Sequence, residues 1–407
     1  MKMLHWAQQF NILCFLDNQQ YNIAPHYEEC LLAVGTKRTC IAGKNSLQDL
    51  DSFIQKGSWH FGHLSYELKN HIYPNTSIKE DKICFPHFFF FEPEIVIQII
   101  ENEACIDGEN ATDIYKAIVL QDVFEVKEPL NLELHSRLTK EEYISTIKKL
   151  QKHILLGDCY EINFCQEFFA EDVSIDVFSI YQKLMQISPN PFSAFYKLND
   201  QYLLCASPER FLVKKGNKIT AQPIKGTNAR NAENAAADEA LKNALFSSGK
   251  DRAENVMIVD LMRNDLSKIC REGTVTVEEL FGVYAFPQVH QMISTISGEL
   301  RSNISFAEII RAVFPMGSMT GAPKQKVMEL IDYYEPSARG IFSGSVGYID
   351  TKGDFDFNVV IRSIMYHAGS KYLSYQAGSG ITHYSDPDLE WEECNLKVAA
   401  IKKVLAL

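Results

Sequence analysis

Two glutamates near the end of the chain, Glu390 and Glu393, are the clearest candidates for metal ligands. They follow Pro387, a good first residue for a helix, and helical residues three apart share a face. Carboxylate oxygens suit hard cations such as Mg²⁺, which keep positions open for the oxygens of a substrate. The alternative is a solvated acidic first turn, in which Glu393 forms an ordinary pair with Lys397.

A third carboxylate, Glu254, stands at the start of a helix predicted over 251–265. The helix is apolar on several sides, yet it also contains Asp260, Arg263 and Asp265. Charged groups in such a helix need partners, so we interpret these three as a structural network. Glu254 is then left as a third metal ligand.

A single lysine, Lys225, lies in the sequence PIKGT (223–227), between a β-like dipeptide and a Gly-Thr turn. A turn of this kind lets a backbone approach a ligand and present amide donors. An amine buried against apolar surface loses its proton more easily, which would make Lys225 a nucleophile. Taken alone, the residue is better interpreted as a surface lysine.

Two glycine-rich turns, 317–324 and 377–382, could present free amides to an anion. Ser318 in the first turn adds a hydroxyl. Arg362 is a cation in an otherwise apolar strand, and a buried guanidinium needs a carboxylate, which a substrate could supply. His290 is a similar exception, with a satisfied core histidine as its alternative.

The elements that must position these residues fall into two parts. Short apolar runs up to about residue 130 predict a β-rich layer, including one buried strand over 88–100. A capping box of Thr139 and Glu142 begins a helix after that boundary. Beyond it we predict further helices at 174–187, 234–247, 251–265, 305–314, 323–334 and 386–405, and strands at 159–169, 201–214, 218–224, 273–279, 343–350, 355–366 and 371–377.

Composition excludes several classes of protein. The 407 residues carry a formal net charge of −12, so there is no general basic field for nucleic acid or anionic lipid. Ten cysteines are scattered without zinc-type spacing and are expected to be reduced. We expect neither a signal peptide nor a membrane span, and therefore a cytoplasmic location.

Eight motifs, in order, resemble the chorismate-binding enzymes, the family that includes the anthranilate and isochorismate synthases. They cover about 140–407 and read ASPERF, PIKGT, AENVMIVDLMRNDL, VHQMIS, GSMTGAPK, ARGIFSGSVGY, NVVIRS, and AGSGIT with SDPDLEWEECNLK. The resemblance implies a two-layer α+β sandwich of antiparallel sheets flanked by helices, with which the mixture of elements agrees. It divides the chain into an amino-terminal β-rich domain, 1–130, and a chorismate-binding catalytic domain, 131–407.

The resemblance also implies a set of binding residues. Glu254, Glu390 and Glu393 match the Mg²⁺ ligands, with the metal gripping the ring carboxylate of chorismate. Gly226 and Thr227 would bind that same carboxylate. The enolpyruvyl carboxylate would be bound by Arg362 and by the amides around Gly378 and Gly380.

The catalytic roles follow from the same matches. Lys225 would attack C2 of the ring while Glu209 protonates the departing 4-hydroxyl. Ammonia would then add at C4 and expel the lysine, which gives 4-amino-4-deoxychorismate on the way to p-aminobenzoate and folate. His290 and Ser318 match positions that line the pocket.

Three positions bear on the alternatives. Anthranilate synthases, the second choice, have Ala where this chain has Lys225. Glu161, in GDCYEINFCQ, stands where amine-using members usually have Gln and isochorismate synthases have Lys; a carboxylate there could activate water. Phe342 replaces a Tyr of anthranilate synthases, which suits an enzyme that does not release pyruvate. The remaining alternative is a catalytically silent relative.

The expected partner is a separate glutamine amidotransferase subunit that supplies ammonia. A glutaminase of roughly 190 residues does not fit beside domains of about 270 and about 130 residues, and neither does a lyase. In the amino-terminal part, FLDNQQ (15–20) resembles the family's tryptophan-binding segment.

Overall fold

The computed structural model describes residues 1–21, 29–55, 57–73, 79–101, 103–122, 132–231, 233–286 and 289–405. Its α-helices are α1 (Lys2–Ala7), α2 (Asp49–Phe53), α3 (Lys69–Ile72), α4 (Ala111–Val119), α5 (Lys140–Leu155), α6 (Val177–Ile187), α7 (Ala235–Ser247), α8 (Gly249–Ser267), α9 (Phe306–Val313), α10 (Lys324–Tyr334), α11 (Pro387–Lys397) and α12 (Ala399–Val404). Short 3₁₀ turns lie at Tyr66–Leu68 and Gly317–Met319.

The strands are interspersed among these helices over the described residues. They are β1 (Ile12–Asp17), β2 (Cys30–Val34), β3 (Arg38–Ile41), β4 (His60–Leu64), β5 (Phe88–Glu92), β6 (Ile95–Ile100), β7 (Glu103–Asp107), β8 (His135–Ser136), β9 (Glu161–Ala170), β10 (Phe192–Leu198), β11 (Gln201–Ser207), β12 (Arg210–Lys215), β13 (Lys218–Gln222), β14 (Ile224–Ala229), β15 (Thr276–Ala285), β16 (Val289–Glu299), β17 (Gly321–Ala322), β18 (Ser345–Ile349), β19 (Phe355–Asn358), β20 (Ser363–His367) and β21 (Tyr372–Ile381).

Two antiparallel sheets form the centre of the molecule. The first has the order β17-β9-β21-β20-β11-β10-β1-β2-β6-β7, with β8 beside β9, and the second has the order β14-β16-β13-β12-β19-β18-β4-β5-β3, with β15 beside β16. One apolar core includes Phe61 and Phe90 from the second sheet and Tyr196 from the first. A second core joins the first sheet to α5, α6 and α11. The predicted α+β sandwich is confirmed.

Amino-terminal strands extend both sheets. In the first sheet β1 pairs with β10, and in the second β4 pairs with β18. The boundary predicted at 130 falls in the segment 123–131, outside the described residues. The division into two domains therefore stays a prediction.

Three strands predicted as continuous are wrong in the same way, because each is two strands that belong to different sheets. The stretch 88–100 divides into β5 and β6, 201–214 into β11 and β12, and 355–366 into β19 and β20. The first two breaks contain a proline, Pro93 and Pro208, and a proline has no N–H for a strand ladder. The third contains Arg362, whose φ is 51°. A continuous run of apolar residues cannot show a change of sheet, because both strands are buried.

Two of these crossings lie side by side. The backbone N–H of Val359 donates to the carbonyl oxygen of Glu209 at 3.0 Å, which joins the β19–β20 crossing to the β11–β12 crossing. Glu209 and Arg362, far apart in sequence, are thereby held on adjacent turns. The change of sheet is thus what places two candidate functional side chains together.

The predicted helices are largely confirmed. Thr139 and Glu142 form both hydrogen bonds of a capping box at the start of α5. The helix predicted over 386–405 is wrong as a single helix, because it is interrupted at Val398, whose φ and ψ are −103° and 4°. Among the described residues, the ten cysteines are all unpaired thiols. No helix in the described part of the chain is long and apolar enough to cross a membrane.

A buried arginine ties together the elements around the glycine-rich turn 317–324. Arg339 is 2% exposed and forms an ion pair with Glu335 at 2.7 Å. Its guanidinium also donates to the backbone oxygens of Met319 and Asn163. Because an arginine carries five donors in a rigid fork, one side chain can fix α10, β9 and the 3₁₀ turn that contains Ser318.

Candidate active site

Lys225 lies at the centre of the candidate site. It is the second residue of β14, and its Nζ lies 2.5 Å from Oε1 of Glu161, the first residue of β9. The side chains of Lys225 and Glu161 are 11% and 1% exposed, so Lys225 is not a surface lysine. The second carboxylate oxygen of Glu161 is buried and has no hydrogen-bond partner.

The charge on Lys225 is set by the acids around it. Burial lowers the pKa of its ammonium, but the nearby carboxylates of Glu161, Glu254 and Glu209 outweigh burial and raise the pKa above its ordinary value. The lysine therefore rests as a cation. A nucleophilic amine has to lose that proton first.

Glu209 is a buried carboxyl group that interacts electrostatically with Lys225. Burial raises the pKa of the Glu209 carboxyl to about 7, against the lowering effects of a hydrogen bond from Ser318 and of the positive charges of Lys225 and Arg362. The carboxyl is only 5% exposed. A carboxyl group that keeps its proton near neutral pH can act as a general acid.

Arg362 is a buried cation beside Glu209. Burial lowers the pKa of its guanidinium to about 10, although the charges of Glu209 and Tyr21 act in the opposite direction. An arginine that has lost this much hydration gains strongly from a bound anion. The burial of Arg362 agrees with the prediction that it binds a carboxylate of the substrate. That role stays a prediction.

Two of the three proposed metal ligands face one another. The Nζ of Lys250 lies 3.3 Å from Oε1 of Glu390 and 3.9 Å from Oε1 of Glu254. Glu254 and Glu390 each have a buried carboxylate oxygen without a hydrogen-bond partner. Burial raises the pKa of Glu254 to about 7, while Lys225 lowers it. Unpartnered carboxylate oxygens at such a place fit a hard cation, since Mg²⁺ is usually held by one or two carboxylates together with substrate oxygens.

Glu393 has a different partner. Its carboxylate lies 2.8 Å from Nζ of Lys397, and this positive charge lowers its pKa. This is the ordinary i,i+4 pair that the sequence also allowed. Over the described ranges, no three side chains of His, Cys, Asp or Glu form a group that could hold a metal ion. The three-carboxylate ligand set therefore stays a prediction. Lys250 forms ion pairs with Glu390 and Glu254 and is also influenced by the charge of Glu393, whose own ion pair is with Lys397.

Three predicted glycines are needed where they stand. Gly226 has a φ of +99°, and a Cβ there would lie 3.1 Å from atoms of Asp251. A Cβ on Gly378 would lie 2.2 Å from the backbone oxygen of Phe164. A Cβ on Gly380 would lie 2.5 Å from Oε1 of Glu161 and 2.9 Å from Nζ of Lys225. At Gly378 the obstacle is backbone, which cannot move aside, and at Gly226 the positive φ favours glycine, whereas at Gly380 the obstacles are two side-chain ends.

The other predicted residues differ in burial and in their hydrogen-bond partners. Ser318, 6% exposed, is joined to Glu209, whereas Thr227 is solvent-exposed. His290 is buried, and its Nε2 lies 3.0 Å from Oδ1 of Asp238. Its other ring nitrogen, Nδ1, is buried without a hydrogen-bond partner among the described residues, so His290 is not a fully satisfied core histidine. Phe342 is 2% exposed within the first core.

The structural network predicted within α8 is only partly a network. Arg263 pairs with Asp260 at 3.0 Å on an exposed face. Asp265 is instead buried against Lys324, at 2.5 Å, and accepts a second bond from Lys268.

Two residues of the site were not assigned from sequence, namely Lys250 between the acids and Glu161 as the partner of Lys225. The signal for Glu161 was its departure from the usual Gln, whereas nothing in the sequence distinguished Lys250.

A comparison with protein families identifies the class of this chain. The profile described as chorismate binding enzyme matches residues 8–403. The chain therefore belongs to the chorismate-binding enzymes, and the resemblance found in its motifs is confirmed.

Curated relatives show which members of the family this chain is similar to. Aminodeoxychorismate synthase component 1 of Escherichia coli (strain K12) is 35% identical over 350 residues, which are 84% of this chain and 76% of that protein. The protein of the same name in Bacillus subtilis (strain 168) is 36% identical over 66% of this chain and 56% of its own length. Anthranilate synthase component I from Streptococcus pneumoniae TIGR4 has the same fold, with a TM-score of 0.81 at 24% identity, covering 95% of this chain and 93% of that one.

The close approach at Gly380 gives a first testable prediction. Gly380→Ala would force Glu161 and Lys225 apart, since both are flexible side-chain ends that can move aside. We expect chorismate turnover to fall by more than about tenfold with little change in thermal stability. Gly249→Ala is the control, because no heavy atom lies within 4 Å of the new Cβ. Equal turnover in both variants would show that the contact between Lys225 and Glu161 is not needed for catalysis.

Proposed function

We propose that this chain aminates chorismate to 4-amino-4-deoxychorismate, the reaction named in its aminodeoxychorismate synthase relatives. The observation that carries the proposal is the buried Lys225, held 2.5 Å from Glu161 and close enough to Glu209 for their charges to interact. A nucleophile and a general acid side by side suit replacement of a ring hydroxyl through a covalent intermediate.

Substrate binding depends on local charges, because the chain as a whole is acidic. Arg362 and the amides around Gly378 and Gly380 bind the enolpyruvyl carboxylate, and Gly226 and Thr227 bind the ring carboxylate. Glu254 and Glu390 would hold Mg²⁺, with Glu393 as a third ligand. When bound, Mg²⁺ neutralises the ring carboxylate and orients it.

The chemistry is divided between Lys225 and Glu209. The neutral amine of Lys225 bonds to C2 of the ring, both conjugated ring double bonds shift by one position, and the C4–O bond breaks. Glu209 gives its proton to the leaving hydroxyl, which departs as water. His290 and Ser318 orient the leaving group, and Ser318 does so through its bond to Glu209.

Ammonia completes the exchange. It bonds to C4, both ring double bonds shift back, and the C2–N bond to Lys225 breaks. The enolpyruvyl group stays on the ring, so the product is the aminated intermediate and not anthranilate. A separate glutamine amidotransferase subunit supplies the ammonia, which agrees with the designation component 1 in the relatives.

The raised pKa of Glu209 predicts the alkaline side of the pH profile. The carboxyl holds its proton up to about pH 7 and loses it above that value. A general acid works only while protonated, so kcat/KM should fall as pH rises through about 7. Glu209→Gln should lower kcat by about 10²- to 10⁴-fold and abolish this alkaline limb. If kcat/KM of the variant still fell above about pH 7, the decrease would belong to the titration of a group other than Glu209.

The nucleophilic role is tested by Lys225→Ala. Without the amine, formation of 4-amino-4-deoxychorismate from chorismate, Mg²⁺ and ammonium should fall by at least about 10²-fold, with anthranilate as the possible residual product. Product is measured by adding an aminodeoxychorismate lyase and quantifying p-aminobenzoate. Lys242→Ala is a matched control, since this lysine is 40% exposed on α7. Unchanged output from Lys225→Ala would remove the lysine from the mechanism.

The metal site is tested by Glu390→Gln. One neutral ligand in place of a buried carboxylate should raise the Mg²⁺ concentration for half-maximal activity by about tenfold or more. Direct Mg²⁺ binding by calorimetry gives a readout that does not depend on turnover. Glu392→Gln, on the exposed side of the same helix, is the control. Identical Mg²⁺ titrations for both variants would return Glu390 to a structural role.

A further inference from the structure

Glu161 has no role in the mechanism above, although it makes the closest contact with the nucleophile. Its Oε1 lies 2.5 Å from Nζ of Lys225, and its side chain is 1% exposed. The other oxygen, Oε2, is buried and without a hydrogen-bond partner. Gly380 leaves the space that the pair occupies. A buried carboxylate held in this way needs a reason, because burying an ion pair seldom stabilises a fold.

The nucleophile itself supplies a reason. Lys225 rests as an ammonium ion, which has no lone pair and cannot bond to C2. The surrounding carboxylates favour that charged form, so solvent near neutral pH rarely takes the proton. An acceptor in direct contact with Nζ removes this obstacle.

Several charged groups face Lys225, and only one is suited to accept its proton. Glu209 lies on the β11–β12 crossing and has to hold a proton of its own. Glu254 on α8 and Glu393 on α11 also influence the lysine electrostatically. Among the described residues, Glu161 is the carboxylate that hydrogen-bonds Nζ.

We propose that Glu161 is the catalytic proton acceptor of Lys225. This inference rests on the proposed function, in which Lys225 attacks the ring. The proton of the ammonium passes to Oε1 of Glu161, and the freed amine forms the bond to C2. Ammonia later expels Lys225 as a neutral amine, and Glu161 returns the proton to it.

The protons balance over a full cycle. In the first half, Glu161 gains the proton lost by Lys225, and Glu209 gives its own to the departing water. In the second half, ammonia becomes an ammonium group on C4 and gives one proton to Glu209. Both acids and the lysine are then in their starting states.

The test compares Glu161→Gln with the native chain over a range of pH, with ammonium and Mg²⁺ saturating. In the variant, Lys225 has to release its proton to solvent, so kcat should fall about 10²-fold at pH 7. The ratio of variant to native kcat should then rise by about tenfold per pH unit from about pH 6 to about pH 8. The titration of Glu209 is common to both proteins and cancels in the ratio.

Two further variants separate proton transfer from structure. Glu161→Asp keeps a carboxylate, so its ratio to native kcat should be independent of pH and closer to one. Glu167→Gln is the matched control, because Glu167 is a buried, ion-paired glutamate on the same strand. Its ratio should also be independent of pH, even if the substitution lowers stability.

The outcomes are distinguishable. A pH-independent ratio for Glu161→Gln, or full activity with Gln at this position, would overturn the inference while leaving the proposed function standing. A pH-dependent ratio for Glu161→Asp would also overturn it. If the native chain forms no aminated product, the proposed function fails and the inference fails with it.

Discussion

The buried contact between Lys225 and Glu161 is the interaction on which the rest of the site depends. An acidic chain has to bind a dianionic substrate, and it also has to keep a lysine reactive where carboxylates surround it. Burial has opposite effects on these groups: it keeps Glu209 protonated up to about pH 7 and makes Arg362 a poorly hydrated cation, while neighbouring acids hold Lys225 charged. In the proposed mechanism, this one low-dielectric environment supplies an acid (Glu209), a binding group for an anion (Arg362) and a protonated nucleophile (Lys225).

The fold provides this environment by letting strands change sheets. Both the β11–β12 and β19–β20 segments cross from one sheet to the other, and their crossings are joined by the Val359 to Glu209 hydrogen bond. β9 and β21 are paired with Gly380 opposite Asn163, so Glu161, two residues along β9, lies diagonally beside Gly380. Arg339 then fixes the 3₁₀ turn of Ser318 against β9. Residues from most of the length of the chain meet because two sheets, and not one, frame the site.

Much of this arrangement could be predicted from the sequence, for reasons that differ between residues. The capping box at Thr139 and the proline at the start of α11 are local signals, and they gave correct helix starts. The resemblance of the motifs to the chorismate-binding enzymes implied the fold and the roles of Lys225 and Glu209. The changes of sheet at Pro93 and Pro208 were missed because buried strands are apolar in either sheet. The pairing of Glu393 with Lys397 was the alternative that their i,i+4 spacing offered. The position of Lys250 between Glu254 and Glu390 could not be predicted, because it depends on side-chain rotamers that sequence patterns do not specify.

The most direct test of the account is the identity of the product. The purified chain is incubated with chorismate, Mg²⁺ and ¹⁵N-labelled ammonium, and the products are identified by mass. The account predicts a product that contains one labelled nitrogen, keeps its enolpyruvyl group, and yields labelled p-aminobenzoate when a lyase is added. Labelled anthranilate, or an isomer of chorismate without nitrogen, would contradict it, and so would unchanged chorismate.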